Sequence, residues 1–512
     1  MRRNNAIRAK SAIPLVIPLL LSAFIHLWNP IGFPGIHGDE GHYIRRGIHV
    51  SEGLGPQEST STYDHPYFGW IFLGSIFSIG DYPDSLNAKA GDVSSIKAVW
   101  EFPRLIVGLF ALIDTFLVYK IAERRYSTKI AFIAAVLFAV MPFSWMARRV
   151  LLESLQLPLL LSSVLFAVFL GGTRTSVKTG NYKLLLAPLS GIFLGLAIFA
   201  KIPGFAFIPL VGYLVFTHSN RSVKSISLFL APVILIPLIW PAYAFSANEY
   251  DKWLDGIDFQ TSRASKPLSE SIDSFFSTDP ILLLLGVAGT IFAAVIKKDI
   301  IFVLWILPFV IFLYLIDYVS SFFLIPLLPP LCIAAAVMIV DLCSRIARKK
   351  KRLHSLLPYG VIAAIGIYGL SITTPLLNQS ENVNYFEVIS AVSDTLPVND
   401  TTTSDTMDTQ DDGKMTVIGS PSYYWMLQYV FDKPQYNYKT QYNLISKSTL
   451  ENILDQSEKV ILIADGSIMK VINKETDLDS PKAVLRADRL ILIYNNTKVS
   501  DTVDEVQIRT NF

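Results

Sequence analysis

The feature that most constrains this chain is a succession of apolar runs, each long enough to cross a bilayer as a helix. A hydrocarbon core about 30 Å thick needs roughly 20 apolar residues of helix. About eleven runs bounded by charge or turn residues meet that need, near 12–28, 102–119, 130–146, 151–170, 184–200, 204–217, 226–245, 280–296, 300–316, 322–343 and 355–375, several interrupted by proline. With 52% hydrophobic and 17% charged residues, the chain has too little charge to cover a water-soluble surface of this size. The expected fold class is a polytopic α-helical membrane protein, with the lipid bilayer as its first partner. Lys and Arg total 44 against 42 for Asp and Glu, so no global field attracts nucleic acid, which drops out as a partner. Cys332 and Cys343 fall in one apolar run and read as small hydrophobes.

Orientation follows from where short loops keep their positive charge. With the N-terminus cytoplasmic, the inside loops hold Lys120, Arg124, Arg125 and Lys129, then Arg174, Lys178 and Lys183, then Arg221 and Lys224, then Lys297 and Lys298, and finally the basic stretch Arg345 to Arg352. The loops 29–101 and 246–279 and the tail 376–512 then lie outside. The first run has no small-residue cleavage site before Trp28-Asn29-Pro30 and reads as a retained helix. Residues 1–375 are expected to form the transmembrane domain, and 376–512 an exterior soluble α/β domain. In the tail, 414–419 and 459–464 have the character of buried strands, while 421–431 and 447–456 have helical spacing. Sequons at Asn378, Asn399 and Asn495 fall in this Asn- and Thr-rich sequence.

The residues able to do chemistry gather on the exterior side. Asp39 and Glu40 form an acidic pair in the first exterior loop, readable as a solvated turn or as a general base beside the membrane. Tyr63-Asp64-His65-Pro66-Tyr67 opens an amphipathic stretch, Phe68 to Ile79, suited to lying along the interface. Arg148, Arg149 and Glu153 interrupt apolar sequence at the outer surface, where snorkelling is the bland account. Glu153 follows Arg149 at helical spacing, so the two can share one helix face. Lys201 lies between two apolar runs without a topological purpose, and Arg104 opens the second run. Carboxylates and cations on one membrane face suit an anionic, lipid-linked group held near a base.

With these residues in place, the chain resembles the GT-C superfamily of membrane glycosyltransferases, in the branch of the protein O-mannosyltransferases and aminoarabinose transferases. The likeness rests on Asp39-Glu40 with Tyr43, His65-Pro66, Arg104-Leu105, Pro142 followed by Arg148, Arg149 and Glu153, and Gly195-Leu196 leading to Lys201 and Gly204, over roughly residues 12–345. The resemblance implies an inverting transfer of a sugar from a polyprenyl- or dolichyl-phosphate carrier to a protein, lipid or glycan acceptor on the exterior face. Carried over, Asp39 is the general base and Glu40 its partner in orienting the acceptor. His65, Tyr43 and Glu153 shape the pocket, and Arg148, Arg149, Lys201 and Arg104 meet the donor phosphate. The loop 246–279 is a lid over the donor, with Arg263 and Lys266 as phosphate contacts.

The chain departs from the family pattern in having Tyr67 after His65-Pro66, where a second proline is common, and Glu153 where an Asp is common. The exterior tail lacks a Trp-Trp-Asp type signature, which favours a monosaccharide donor over an oligosaccharide. Two readings from other classes compete: a polytopic transporter of an anionic or lipid-linked substrate, and a non-catalytic membrane scaffold. Against transport, the charges collect at one face and no internal repeat is visible. The cluster His37, Asp39, Glu40 and His42 is too closely spaced to assign a metal, so neither metal nor cofactor is expected. Short loops favour a prokaryotic plasma membrane, with the endoplasmic reticulum as the eukaryotic equivalent.

Overall fold

The computed structural model describes residues 2–58, 63–171, 180–347, 351–395, 415–419, 421–431, 437–439, 453–455, 457, 459–464, 491–496 and 506–510. Arg174, Lys178, Asn399, Ser420, the basic residues 348–350 and most of 447–456 lie outside the described residues. In chain order the first helices are α1 (Arg2–Leu27), α2 (Gly38–Ser51), α3 (Phe68–Gly80), α4 (Val93–Arg125), α5 (Thr128–Val140), α6 (Leu152–Phe169), α7 (Gly180–Ala200), α8 (Ile208–His218) and α9 (Val223–Leu235). There follow α10 (Ile239–Ser246), α11 (Tyr250–Thr261), α12 (Leu268–Thr278), α13 (Pro280–Ile291), α14 (Ile301–Leu315), α15 (Leu328–Ile346), α16 (Lys351–Leu377) and α17 (Val383–Thr395). The tail adds β1 (Met415–Ile418), α18 (Pro421–Tyr429), β2 (Asn437–Lys439), β3 (Lys459–Ala464), β4 (Ile491–Asn496) and β5 (Val506–Thr510).

Among the described residues five helical segments are long and apolar enough to cross a membrane, or up to seven if each of two bent pairs is one span. Five shorter apolar helices of 10–17 residues accompany them. The bends follow from proline, which cannot donate into a preceding turn. Thr128–Val140 and Pro142–Arg148 meet at 68°, and Leu268–Thr278 and Pro280–Ile296 at 114°.

The chain divides into two compact units. The first comprises Met1–Pro30, Pro56–Ile71 and Arg104–Asn378. Its helices pack closely because glycines face neighbouring backbones: a Cβ on Gly191 of α7 would lie 2.2 Å from the Phe229 carbonyl oxygen of α9, and one on Gly289 of α13 would lie 2.5 Å from Ala334 of α15. Both bends converge on buried Asp279. Its Oδ1 accepts from Leu282 N–H at 2.9 Å and so caps α13. Its Oδ2 accepts from Phe143 N–H at 3.2 Å, and the Phe143 and Phe275 rings stack at 4.0 Å. One carboxylate thereby fixes the short 3₁₀ segment Pro142–Arg148.

The second unit comprises Ile31–Gly55, Phe72–Pro103 and Gln379–Phe512. A mixed sheet of order β2-β1-β3-β5-β4 has β1 parallel to β2 and β3, and β5 antiparallel to β3 and β4. Central β3 is apolar and buried on both faces after its first residue, as a strand covered on both sides must be. Trp100 anchors an aromatic cluster, with Trp425 at 5.3 Å and Tyr385 at 5.5 Å, both edge-on.

Candidate active site

In the second unit, the acidic pair opens α2, and its two carboxylates are used differently. His37 is the N-cap: its Nδ1 accepts from Asp39 N–H at 3.3 Å, while Glu40 Oε1 accepts from His37 N–H at 2.9 Å. This is a capping box with histidine in place of the usual hydroxyl residue. Glu40 is fully buried by it. The Asp39 side chain is 42% exposed, with Oδ2 3.8 Å from His37 Nδ1. Tyr43, one turn further along α2, is buried.

The segment leading to Asp39 is held by Asn382, a buried residue that sequence reasoning missed. Its Nδ2 donates to the carbonyls of Ile31 at 2.7 Å and Pro34 at 3.2 Å, and its Oδ1 accepts from Ile36 N–H at 2.8 Å. Glu381 N–H adds a bond to Gly32 O at 2.9 Å. One amide side chain thus satisfies three backbone groups of the loop leading into α2, as buried backbone polar groups require.

In the first unit, the cations expected at the outer surface are placed in three ways. Arg148, almost fully buried, donates to the Ile25 carbonyl, to Trp28 O at 2.8 Å and to Asn29 O at 2.7 Å. Arg104 donates to Pro30 O at 2.9 Å. These carbonyls belong to the last turn of α1 and the residues just beyond, where a helix leaves acceptors unsatisfied and its dipole favours a cation. The two arginines therefore fasten the end of α1, a task that charge placement alone did not assign them. Arg149, half-buried, stacks its guanidinium 5.4 Å over Trp145.

Lys201 and Glu153 form a buried ion pair. The ammonium also lies 3.9 Å from the Phe323 ring centroid. Gln156 spans the same helices, donating to Ala197 O at 2.8 Å and Lys201 O at 2.6 Å. Helical spacing offers Glu153 to Arg149, but the fold joins it to a lysine 48 residues away.

His65 is half-buried, and the segment around it is tied to the loop 246–279. Tyr63 donates its hydroxyl to Glu249, which also accepts from Lys252 at 2.7 Å. Burial raises the Tyr63 hydroxyl well above its ordinary range, and the Glu249 contact raises it further. Glu249 is pulled below the usual carboxylate range by Lys252 first and Tyr63 second. Gly256 of α11 rests against this segment so closely that a Cβ would lie 2.2 Å from Tyr63 O. Tyr67 meets Tyr243 edge-on at 5.3 Å. Of the two expected lid cations, Arg263 stacks over Tyr318 at 4.8 Å, and Lys266 is bonded through its backbone to Asp317 and Val319.

The fold is similar to that of solved membrane glycosyltransferases, and one segment of the chain matches a mannosyltransferase family model. Residues 99–245, which hold Arg104, Arg148, Arg149, Glu153 and Lys201, match the family model of dolichyl-phosphate-mannose-protein mannosyltransferase. The chain is similar to ArnT from Cupriavidus metallidurans in the apo state, with a TM-score of 0.63, 13% identity, and 99% of this chain and 98% of that one covered. It is also similar to the same enzyme bound to undecaprenyl phosphate, with a TM-score of 0.58, 13% identity, and 98% of each chain covered. The Archaeoglobus fulgidus oligosaccharyltransferase tethered with an acceptor peptide gives a TM-score of 0.54 and 13% identity over 88% of this chain and 68% of that one. At such identities the likeness is one of fold. No curated protein matches the sequence.

Proposed function

We propose that the chain is an inverting glycosyltransferase that moves a sugar from a polyprenyl- or dolichyl-phosphate carrier to a protein, lipid or glycan acceptor at the exterior face of a membrane. The observation that carries this reading is the division within the acidic pair: Glu40 is committed to the cap, and Asp39 keeps an accessible carboxylate on a fixed first turn of α2. Support comes from the matched family segment and from an ArnT relative of the same fold bound to undecaprenyl phosphate.

Asp39 takes the proton of an acceptor hydroxyl as that oxygen attacks the anomeric carbon, and the carbon–oxygen bond to the carrier phosphate breaks on the opposite side. The departing phosphate is a weak base, so no general acid is needed, unlike the alkoxide released in glycoside hydrolysis. It gains charge in the transition state, and fixed cations stabilise that charge. Arg149 and Lys201 take this role, Glu153 holds Lys201 in place, and Arg148 and Arg104 act by setting the end of α1. His65 and Tyr43 line the acceptor side, and 246–279 covers the donor through Arg263 and Lys266. Residues 1–375 form the catalytic membrane domain, with a cytoplasmic N-terminus, and 376–512 an exterior domain.

The test is transfer from a panel of radiolabelled polyprenyl-phosphate sugars by membranes carrying wild type or the Asp39→Asn variant. Turnover by wild type alone, with donor binding retained by the variant, is the expected result. Undiminished transfer by a correctly inserted Asp39→Asn protein removes the base.

A further inference from the structure

The first unit holds a polar cavity that the proposed reaction does not use. It has a volume of about 640 Å³ and lies among the end of α4, the start of α5, the turn 297–300 and α15. Its charged lining is Arg125, Lys297, Lys298, Asp299 and Asp341. Arg125 Nη2 is 3.3 Å from Asp299 Oδ1, and Tyr126 donates its hydroxyl to Asp299 Oδ2 at 2.7 Å. Asp341 accepts from Lys297 and, at 2.6 Å, from Arg345 Nε.

The aspartates orient their cations but do not neutralise the cluster. Among the described residues of this cluster, four cations, Arg125, Lys297, Lys298 and the flanking Arg345, stand against two carboxylates, Asp299 and Asp341, which leaves a surplus of two positive charges. The side chains of exposed Lys298 and half-buried Ser344 make no hydrogen bond or ion pair to another described residue, so an ammonium and a hydroxyl remain available to a ligand. Ser127, also in the lining, caps α5, whose N-terminal dipole adds positive potential at the same rim. Apart from Tyr213, the rest of the wall is apolar, including Ile300, Val337 and Val340. Beside it, Val295, Ile296 and Ile346 are 65%, 53% and 76% exposed, as expected of side chains that face acyl chains.

The geometry points to a binding site for the phosphate headgroup of an anionic membrane phospholipid, with the headgroup on Lys298 and Ser344 and the acyl chains along the apolar wall. A basic pocket between membrane helices at the bilayer boundary has the physical character such headgroups require. A phosphate monoanion or dianion is matched in charge by the surplus, and the bound aspartates keep neighbouring cations from folding away. The chemistry alone is shared with free phosphate, so the acyl contribution decides the source.

The experiment measures binding of fluorescent phosphatidylglycerol, phosphatidylcholine and inorganic phosphate to the full chain in detergent micelles, for wild type, Lys298→Glu and the milder Lys298→Gln. Saturable phosphatidylglycerol binding, at least tenfold weaker in Lys298→Glu and absent with phosphatidylcholine, is expected. Thermal unfolding reports the same site, with phosphatidylglycerol raising the Tm of wild type and not of Lys298→Glu. Equal phosphatidylglycerol binding by wild type and both variants overturns the proposal. Full displacement of phosphatidylglycerol by millimolar inorganic phosphate, with equal stabilisation by the ion alone, assigns the site to a free anion and overturns it too.

Discussion

Lys201 and Glu153 meet as an ion pair closed to solvent on both sides, with their side chains 5% and 3% exposed. Such a pair contributes little net stability when intact, because desolvation cancels most of the attraction, but removing one partner leaves a bare buried charge. Glu153→Gln is therefore expected to lower stability by about 3 kcal/mol. Lys201→Met together with Glu153→Leu should recover most of that loss and still fail to bind donor. Thermal unfolding of the three proteins, with donor binding measured on the double variant, checks both statements. Normal donor affinity in the stable double variant would take Lys201 out of the phosphate site.

Arg148 separates anchoring from phosphate binding. Its guanidinium reaches three carbonyls at the end of α1, a geometry that a single ammonium cannot reproduce. Arg148→Lys is expected to cost about 2 kcal/mol of stability, as carbonyl acceptors lose a charged donor. Donor affinity measured well below the melting temperature should change less than twofold. A large affinity loss without destabilisation would make Arg148 a direct phosphate contact.

Asn382 holds the segment that delivers Asp39 through three hydrogen bonds. Loss of that hold displaces a base that must reach its proton to within hydrogen-bond distance, and misplacement by about 1 Å can cost 10²-fold in rate. Asn382→Ala should reduce kcat by about that factor and leave donor binding unchanged. Asn382→Asp keeps the acceptor for Ile36 N–H but loses both donors, so it should not rescue the rate. Unchanged kcat in Asn382→Ala would show that the loop is fixed without this side chain.

What was legible in the sequence divides along the distance over which a signal acts. Charge inside apolar sequence is costly wherever it occurs, so Arg104, Arg148, Glu153 and Lys201 stood out one by one, and the structure buries all four. Local spacing also marked the strands β1 and β3 and the helix α18. Partner choice was not legible, because it depends on which helices become neighbours. Spacing favours Arg149 for Glu153, whereas the fold brings in Lys201 from the far end of α7. Asn382 had no signal at all: an asparagine just after an apolar helix reads as a turn, and its three partners lie about 350 residues earlier. Hydropathy likewise marked the apolar run 130–146 but not the bend of 68° that divides it, whereas the bend of 114° falls where the run at 280 begins.

The Tyr63–Glu249 contact gives the last prediction its pH dependence. The folded state holds Glu249 below its ordinary range, through Lys252 first and then Tyr63. A carboxyl depressed in this way contributes stability that is fully present above its unfolded pKa of about 4.3 and is lost as pH falls through the lower folded value. The contact therefore holds at neutral pH and weakens below about pH 4. Tyr63→Phe removes one of the two hydrogen bonds to this carboxylate, so its stability should fall less steeply than that of wild type on acidification from pH 5 to about 3. Gly256→Ala should act at all pH values instead, because its Cβ would meet Tyr63 O at 2.2 Å whatever the charge on Glu249. Unfolding midpoints of the three proteins across this range check the assignment, and parallel curves for wild type and Tyr63→Phe would exclude Tyr63 as a source of the depressed carboxyl.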